Sequence, residues 1–305
     1  MKKFALLLCS TENQMFAVGN VLIGFKKYFS LDEKDYDIIV LVDTINDKNR
    51  SALEKIHKNI IIKKFENPFS KSFLNSVPGS NWSFMAFARF EAFELIKDYE
   101  KLLYVDTDTL IKKDLSSILS FNEKSIYMAY DILNNQLDYF VNNGGSNFVE
   151  KYKDDKYDLN RKIFNSGIMI LTNKLHNGSK IKKWCYEYCE KIVGTDLFVI
   201  NLAIQEFNLD IGVLDNIYNY TGDYNHLDNV YIIHALGKFW ESSPYYEWDE
   251  NNKKWIEFGG EEYNSLYIKQ KKEMWNKILW WIPSRRLRER LRIKIGKKYG
   301  FMWRI

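Results

Sequence analysis

No apolar run in this sequence approaches the ~18 residues that a membrane-spanning helix needs, so no spanning helix is expected. Cysteine is scarce. The three are Cys9, Cys185 and Cys189; their number is odd and none forms a C-x-x-C. That excludes a disulfide framework and points to a reducing compartment. A glycine-rich phosphate loop is also missing. The first strand–helix turn, where nucleotides usually bind in a parallel α/β sheet, is Ser10-Thr11-Glu12-Asn13, which is neither a dinucleotide fingerprint nor a P-loop. The opening MKKFALLLCS imitates a secretion signal. However, Phe4–Cys9 is too short for a signal core, and no small-residue cleavage site follows. A buried first strand fits it better.

What the chain does contain is apolar mass and aromatic rings. Hydrophobic residues make up 46%, and 20 Tyr, 20 Phe and 9 Trp suit a protein that handles rings, sugars or membrane interfaces. At 305 residues the chain is one large α/β domain or two smaller ones. The net charge of +4 conceals an asymmetry. Residues 269–305 hold 13 Lys/Arg against 2 Asp/Glu, a balance of +11, which leaves about −7 for residues 1–268.

Short apolar runs alternate with helical patterns. Strands are expected at Phe4–Cys9, Asp37–Val42, Asn59–Lys63, Leu102–Val105, Ile126–Asp131, Ile163–Leu171, Ile211–Leu214 and Val230–Ile233. Helices are expected at Met15–Phe29, Ser51–Ile56, Trp82–Tyr99, Lys180–Val193 and Asp196–Phe207. This alternation predicts βαβ units and an α/β fold with a mixed, mostly parallel sheet. Residues 132–162 form a polar stretch, which inside a compact domain is either a functional flap or disordered. Asn165-Ser166-Gly167 interrupts an apolar run, and glycine in a strand marks a bulge or a close backbone approach.

The most informative stretch is KLLYVDTDTLIKKD, residues 101–114. An apolar strand runs into Asp106 and Asp108. In extended chain, acids two apart share a side, with Cα atoms about 6.6 Å apart. Alone, such a pair reads as a polar turn. A divalent metal held by hard oxygen ligands is the reading that uses both carboxylates. His234 follows a buried strand in the same way, and Gly237-Lys238 come just after it. Glycine admits an anion close to the backbone, and lysine is a point charge for phosphate. Two carboxylates, an imidazole and a neighbouring cation make a diphosphate site. The mixed O/N ligands suit Mn²⁺ at least as well as Mg²⁺.

In order and spacing, ARFEAFELIKDYEKLLYVDTDTLI, the Asp131 strand end, IFNSGIMIL, Asp196…Asn201 and IIHALGKFW resemble glycosyltransferase family 8. These are the retaining enzymes of the glycogenin and bacterial lipooligosaccharide galactosyltransferase type. The resemblance runs from about Phe4 to Trp240. It implies a GT-A (nucleotide-diphospho-sugar transferase) fold and transfer of galactose or glucose from a UDP-sugar to an oligosaccharide or glycolipid acceptor. It implies that Asp106, Asp108 and His234 hold Mn²⁺ on the diphosphate and that Gly237 and Lys238 contact phosphate. Ser10, Thr11 and Asn13 sit where the family grips uridine. Arg89, Asp131, Asn165 and Asp196 sit where it contacts the donor sugar or lines the active site. Thr107, Ser166 and Gly167 join the substrate-binding set, and Asp131, Asn165 and Asp196 the catalytic one. Three positions depart from the family. Leu197 replaces a glutamine that is a candidate nucleophile or front-face stabiliser. H-x-x-G-x-x-K-P-W is shortened to H-x-x-G-K-F-W. The first turn has Glu12-Asn13 for Asp-Asn.

Residues 1–260 are expected to form the catalytic domain and residues 261–305 a basic, Trp-rich helical tail. Met274, Ile278 and Trp281 share one helical face; Leu287, Leu291 and Ile295 share another. Ser284 is a plausible N-cap after Pro283. Basic residues around an apolar-aromatic stripe suit an anionic membrane surface, here the inner face of the cytoplasmic membrane of a bacterium. A solvated basic helix and a nucleic-acid patch are alternatives, although no nucleic acid is expected. For the body, D-T-D-T-L also fits the first motif of haloacid-dehalogenase-type phosphatases, with Asp106 as nucleophile and Asp108 as acid/base. A GT-A-like binding protein without activity is a third reading.

Overall fold

The structure is a computed structural model that describes residues 1–76, 83–131, 136–142, 152, 155–221, 229–235, 246–262 and 265–299. In chain order the first half gives β1 (Lys2–Ser10), α1 (Met15–Tyr28), β2 (Tyr36–Val42), α2 (Asp47–Ile56), β3 (Ile60–Lys64) and α3 (Lys71–Ser76). After α4 (Ala92–Leu95) come β4 (Tyr99–Val105), β5 (Thr109–Ile111), β6 (Ile126–Tyr130), α5 (Asp138–Asn142) and β7 (Phe164–Thr172). The remainder is α6 (Gly178–Ile192), α7 (Asp196–Glu206), β8 (Ile211–Val213), β9 (Ile232–His234), α8 (Tyr246–Glu257), α9 (Ser265–Trp280) and α10 (Arg285–Tyr299).

Seven strands form one sheet in the order β3-β2-β1-β4-β7-β6-β8. All run parallel except β7, which is antiparallel to both β4 and β6. The mixed, mostly parallel sheet expected from the sequence is therefore present. Continuous apolar runs become central strands because both faces are covered: seven consecutive residues of β1, Phe4 to Ser10, are buried. One face packs under α1, α2 and α8, the other under α4, α6 and α7. A separate two-stranded sheet pairs β5 with β9.

The predicted helix over 82–99 is different in kind. Two 3₁₀ segments, Phe84–Glu91 and Ile96–Asp98, flank the single turn of α4, and Tyr99 opens β4 instead; Trp82 lies outside the described residues. The spacing explains this. Phe84, Phe87, Phe90, Phe93 and Ile96 recur every three residues, which is the 3₁₀ period. The acid pair is also not extended. Asp106-Thr107-Asp108 is a turn between β4 and β5, closed by the Thr109 hydroxyl donating to the Asp106 carbonyl at 2.7 Å. Of the polar stretch 132–162, the described part includes α5 and a bridge between Gln136 and Lys162.

The C-terminal segment divides after Glu261. Asn46 and Asn49 donate to the Glu261 carboxylate, and the Trp255 indole donates to its carbonyl at 2.9 Å. Trp255 is fully buried and lies flat against Gly19 of α1, where a Cβ would fall 2.2 Å from the ring. Beyond this anchor, α9 and α10 form a helical hairpin. Ser284 caps α10 as expected, accepting from the Leu287 N–H at 3.3 Å. The two expected stripes are rearranged. Leu291 and Ile295 pack with Trp275 and Ile282 around the buried Leu279, so they hold the hairpin together. Met274, Ile278, Trp280, Trp281 and Leu287 remain exposed. No described helix is long and apolar enough to cross a membrane.

Trp255→Ala should cost about 3–5 kcal/mol, since it empties a filled interface and leaves the Glu261 carbonyl without its donor. Urea denaturation measures this. A midpoint equal to wild type would show that the 246–261 segment is not part of the folded body.

Candidate active site

The site is built where β4, β7 and β9 end or bend. β4 delivers Asp106 to the sheet edge, and the Asp106 N–H continues the ladder to the Gly167 carbonyl at 2.8 Å. β9 lies antiparallel to β5, with His234 opposite Thr109, which returns the imidazole to the acid turn. The Ala235 N–H donates to the Asp108 carbonyl at 3.0 Å. As a result, Asp106, Asp108 and His234 each offer a ligand atom within 4.8 Å of the others. His234 Nε2 lies 3.3 Å from Asp108 Oδ1 and 3.9 Å from Asp106 Oδ2. Two oxygens and one nitrogen at this separation fit a divalent cation such as Mn²⁺ or Mg²⁺. The acids are partly open, at 21% and 24% side-chain exposure against 4% for His234, so a ligand on the ion would approach from the carboxylate side.

β7 is distorted at this point. Met128 pairs with Met169, but Tyr130 pairs with Phe164, so β7 has three extra residues opposite β6. The extra length falls at Asn165-Ser166-Gly167, and it re-aims their side chains, as bulges beside active sites do. Gly167 is required there. A Cβ would meet His234 Cε1 at 2.2 Å and Asp106 Oδ2 at 2.8 Å. The close approach expected of this glycine is thus to two of the candidate metal ligands.

Beneath the cluster lies a buried arginine. Arg89 Nη2 is 3.0 Å from Asp106 Oδ1, and Nε is 3.0 Å from Asp196 Oδ2. Nη1 donates to the Ser166 carbonyl at 2.9 Å and hydroxyl at 2.8 Å. Ser166 in turn donates to Asp196 at 3.2 Å. Asp196 opens α7 behind a Thr195 cap, where an acid also suits the helix dipole. Its Oδ1 is buried with no hydrogen-bond partner among the described residues. The guanidinium faces the chain's own carboxylates, so Arg89 braces the site from below. Asn165 accepts from the Gly167 N–H and donates to Asp131 at 3.2 Å, which brings the strand-end acid into the same constellation.

Burial works to lower the His234 pKa, but the charges of Asp108 and Asp106 outweigh it and hold His234 above its ordinary 6.5. Burial pushes Asp106 above the ordinary carboxylate range, with Asp108 adding and Arg89 opposing. Burial also raises Tyr104, whose phenol donates to Asp106. For Arg89, burial is overcome by Asp106 and Asp196, and its pKa rises further.

Other expected residues are placed around this centre. Ser10 ends β1, next to β4 in parallel register, so the first turn stands at the same sheet edge as Asp106. The Thr11 hydroxyl donates to Asn13. The Glu12 carboxylate accepts from the Thr44 hydroxyl and the Asn46 N–H, and thereby locks the first turn to the turn after β2. Thr107 is half-buried between the two acids. Leu197 packs partly on the core and presents no polar atom. Asn201, in contrast, accepts from the Phe164 N–H and donates to its carbonyl, holding β7 just before the bulge. Gly237 and Lys238 lie outside the described residues. Sequence reasoning missed Asn219, which contacts both His234 and Asn165. It sits in a polar segment with no periodicity, so only the fold reveals it.

The His234 and Asp106 shifts have one sign in the metal-free protein. Both pKa values are raised, so the native state binds more protons than the unfolded state. Stability present at low pH is therefore lost as pH rises through the folded values. A cation bound at this cluster would take the place of those protons. The metal-free melting temperature should fall as pH rises above 6.5. Mn²⁺ should raise it more at about pH 8 than at about pH 6. An equal Mn²⁺ increment at both would show that this cluster does not hold the ion.

Residues 6–243 match the family Glycosyl transferase family 8. A search of curated protein sequences found no match. Among solved structures, the galactosyltransferase LgtC, in complex with donor and acceptor sugar analogues, is similar with a TM-score of 0.57 at 16% identity, over 83% of this chain and 95% of that one. The WbbM bifunctional glycosyltransferase gives 0.58 at 14% identity over 88% of this chain; this chain spans about half, 51%, of WbbM. GlyE of Streptococcus pneumoniae TIGR4 gives 0.53 at 14%, over 85% of this chain and 62% of that one. At such identities the likeness is one of fold, the GT-A arrangement of a mixed, mostly parallel sheet between helices. The family match covers most of the sequence and includes the acid turn, the bulge and His234: the chain belongs to glycosyl transferase family 8.

Proposed function

We propose that this protein is a metal-dependent, retaining hexosyltransferase. It moves galactose or glucose from a UDP-sugar to a sugar acceptor, either a lipid-linked or a surface oligosaccharide such as lipooligosaccharide. The observation that carries this reading is the convergence of Asp106, Asp108 and His234 on one point at the sheet edge, in a family 8 chain. Family membership also favours transfer over the phosphatase reading of the same acids.

Asp106, Asp108 and His234 would hold Mn²⁺, with Mg²⁺ as a substitute. Bound there, the ion supplies Lewis-acid neutralisation of charge on the departing UDP diphosphate. The chain's own groups do the rest. Ser10, Thr11 and Asn13 border the same edge, on the side suited to the uridine. Asp131 is half-buried and oriented by Asn165, which suits an acid facing the positive charge that develops at the anomeric carbon. Asp196 is almost wholly buried and paired with Arg89, so its part is to fix Ser166 and the bulge. Leu197 supplies no nucleophile.

The tail fits a peripheral site of action. Trp280 and Trp281 are 77% and 84% exposed near the tip of the hairpin, beside Met274, Ile278 and Leu287. With 13 Lys/Arg in residues 269–305, this surface suits insertion of rings among anionic headgroups. We place the enzyme in the cytoplasm of a bacterium, on the inner face of the membrane, with residues 1–260 as the catalytic domain.

A screen of UDP-sugars for Mn²⁺-dependent UDP release, followed by product anomer assignment by NMR, tests the activity. Asp108→Asn should lower that release at least ~100-fold while the protein stays folded by circular dichroism. Unchanged turnover would remove Asp108 from the site. In a second test, Trp280→Ser with Trp281→Ser should abolish cosedimentation with phosphatidylglycerol vesicles and leave UDP release intact. Vesicle binding equal to wild type would refute the membrane surface.

A further inference from the structure

One buried chain of hydrogen bonds has a fixed direction. It begins at a backbone amide, which can only donate. The Gly167 N–H donates to Asn165 Oδ1 at 3.0 Å, so that atom of Asn165 is the oxygen, and the Asn165 NH₂ faces Asp131. Asn219 Nδ2 lies 3.0 Å from the same oxygen, so Asn219 presents its NH₂ there and its oxygen to His234. Asn219 Oδ1 lies 2.9 Å from His234 Nδ1, and an amide oxygen only accepts. His234 must then carry a proton on Nδ1. The nitrogen with a lone pair to give is Nε2, the one aimed at the carboxylates of Asp106 and Asp108. His234, Asn219 and Asn165 are all buried, so water does not compete for these bonds.

Asn219 is well fixed to do this. It follows the 3₁₀ turn Asn216–Tyr218 and donates its N–H to the Asn216 carbonyl at 3.0 Å. Next to it, the His234 N–H donates to the Tyr220 carbonyl at 2.8 Å, and the Tyr220 N–H to the Ile232 carbonyl at 3.0 Å. The segment is thus clamped to β9 on either side of the imidazole.

We propose that Asn219 is a positioning residue with two outputs. Through Oδ1 it sets the tautomer and ring angle of His234, which makes Nε2 the metal ligand. Through Nδ2 it fixes the amide of Asn165, and by that route the acid Asp131. The metal end and the sugar end of the site are therefore aligned by one side chain. The inference rests on the metal-binding reading above, and its first test needs neither metal nor sugar.

With ¹⁵N-labelled histidine, only four imidazoles need to be resolved. In metal-free protein, above the pH at which His234 titrates, its ring should be the Nδ1–H tautomer. An Nε2–H tautomer in wild type overturns the inference whatever the variants do. Mn²⁺ binding, read by electron paramagnetic resonance, supplies the second test. Asn219→Leu should weaken Mn²⁺ binding about 10–100-fold, the usual effect of losing the partner that orients a ligand histidine. Asn219→Asp keeps an acceptor for Nδ1–H but loses the donor to Asn165. It should hold Mn²⁺ within a few-fold of wild type and lower kcat of UDP release. A purely structural role would move both variants together. Equal Mn²⁺ affinity in Asn219→Leu and wild type refutes the proposal. A wild type that binds no Mn²⁺ would instead refute the metal reading and leave the tautomer measurement to decide this one.

Discussion

The site depends on one buried cation. Arg89 contacts Asp106 at the end of β4, Ser166 in the bulge of β7 and Asp196 at the start of α7. Remove it, and two largely enclosed carboxylates lose their counter-charge, which is among the costliest changes a core can suffer. A lysine would not replace it. Only the planar fork reaches three partners in fixed directions. Arg89 also leaves a charge deficit. Asp106, Asp108 and Asp196 bring three negative charges when ionised, and Arg89 returns one. The carboxylates that remain partly open are Asp106 and Asp108, where a divalent ion would sit.

The second constraint is steric. Three extra residues in β7 push Asn165, Ser166 and Gly167 out of the regular alternation, and the absence of a side chain at Gly167 lets His234 and Asp106 close over it. The bulge does two jobs with one distortion. It turns Ser166 down toward Arg89 and gives Asn165 a backbone donor, Gly167 N–H, that fixes its amide. From there, polarity passes through Asn219 to His234, the candidate metal histidine. A site of this kind is specified by hydrogen-bond direction as much as by distance.

Much of the fold could be read in the sequence because burial on both faces leaves continuous apolar runs. Phe4–Cys9 and Asp37–Val42 sit within β1 and β2, and Ile163–Leu171 coincides with β7 from Phe164 onward. The acid turn and His234 were legible only in combination, because each alone reads as a polar turn and together they make a set of metal-ligand types. Other features were not. The repeat of Phe84, Phe87, Phe90 and Phe93 is a 3₁₀ signal, yet it lies close enough to helical spacing to be taken for an α-helix. The tail pattern gave two apolar stripes, but hairpin packing uses Leu279, Leu291 and Ile295 internally and exposes Leu287.

By itself, the sequence determined the family, the mostly parallel α/β plan and the identity of the metal-ligand candidates. Each of these rests on local pattern: hydrophobic period, an acid pair at a strand end, motifs in order. Tertiary structure alone decided that β7 runs against its neighbours, that the acid pair turns rather than extends, and that Arg89 points inward. It also decided that Asn219 stands between His234 and Asn165. Those outcomes depend on which strands become neighbours and on which donor meets which acceptor. Such pairings join residues far apart in the chain, where no period or spacing records them.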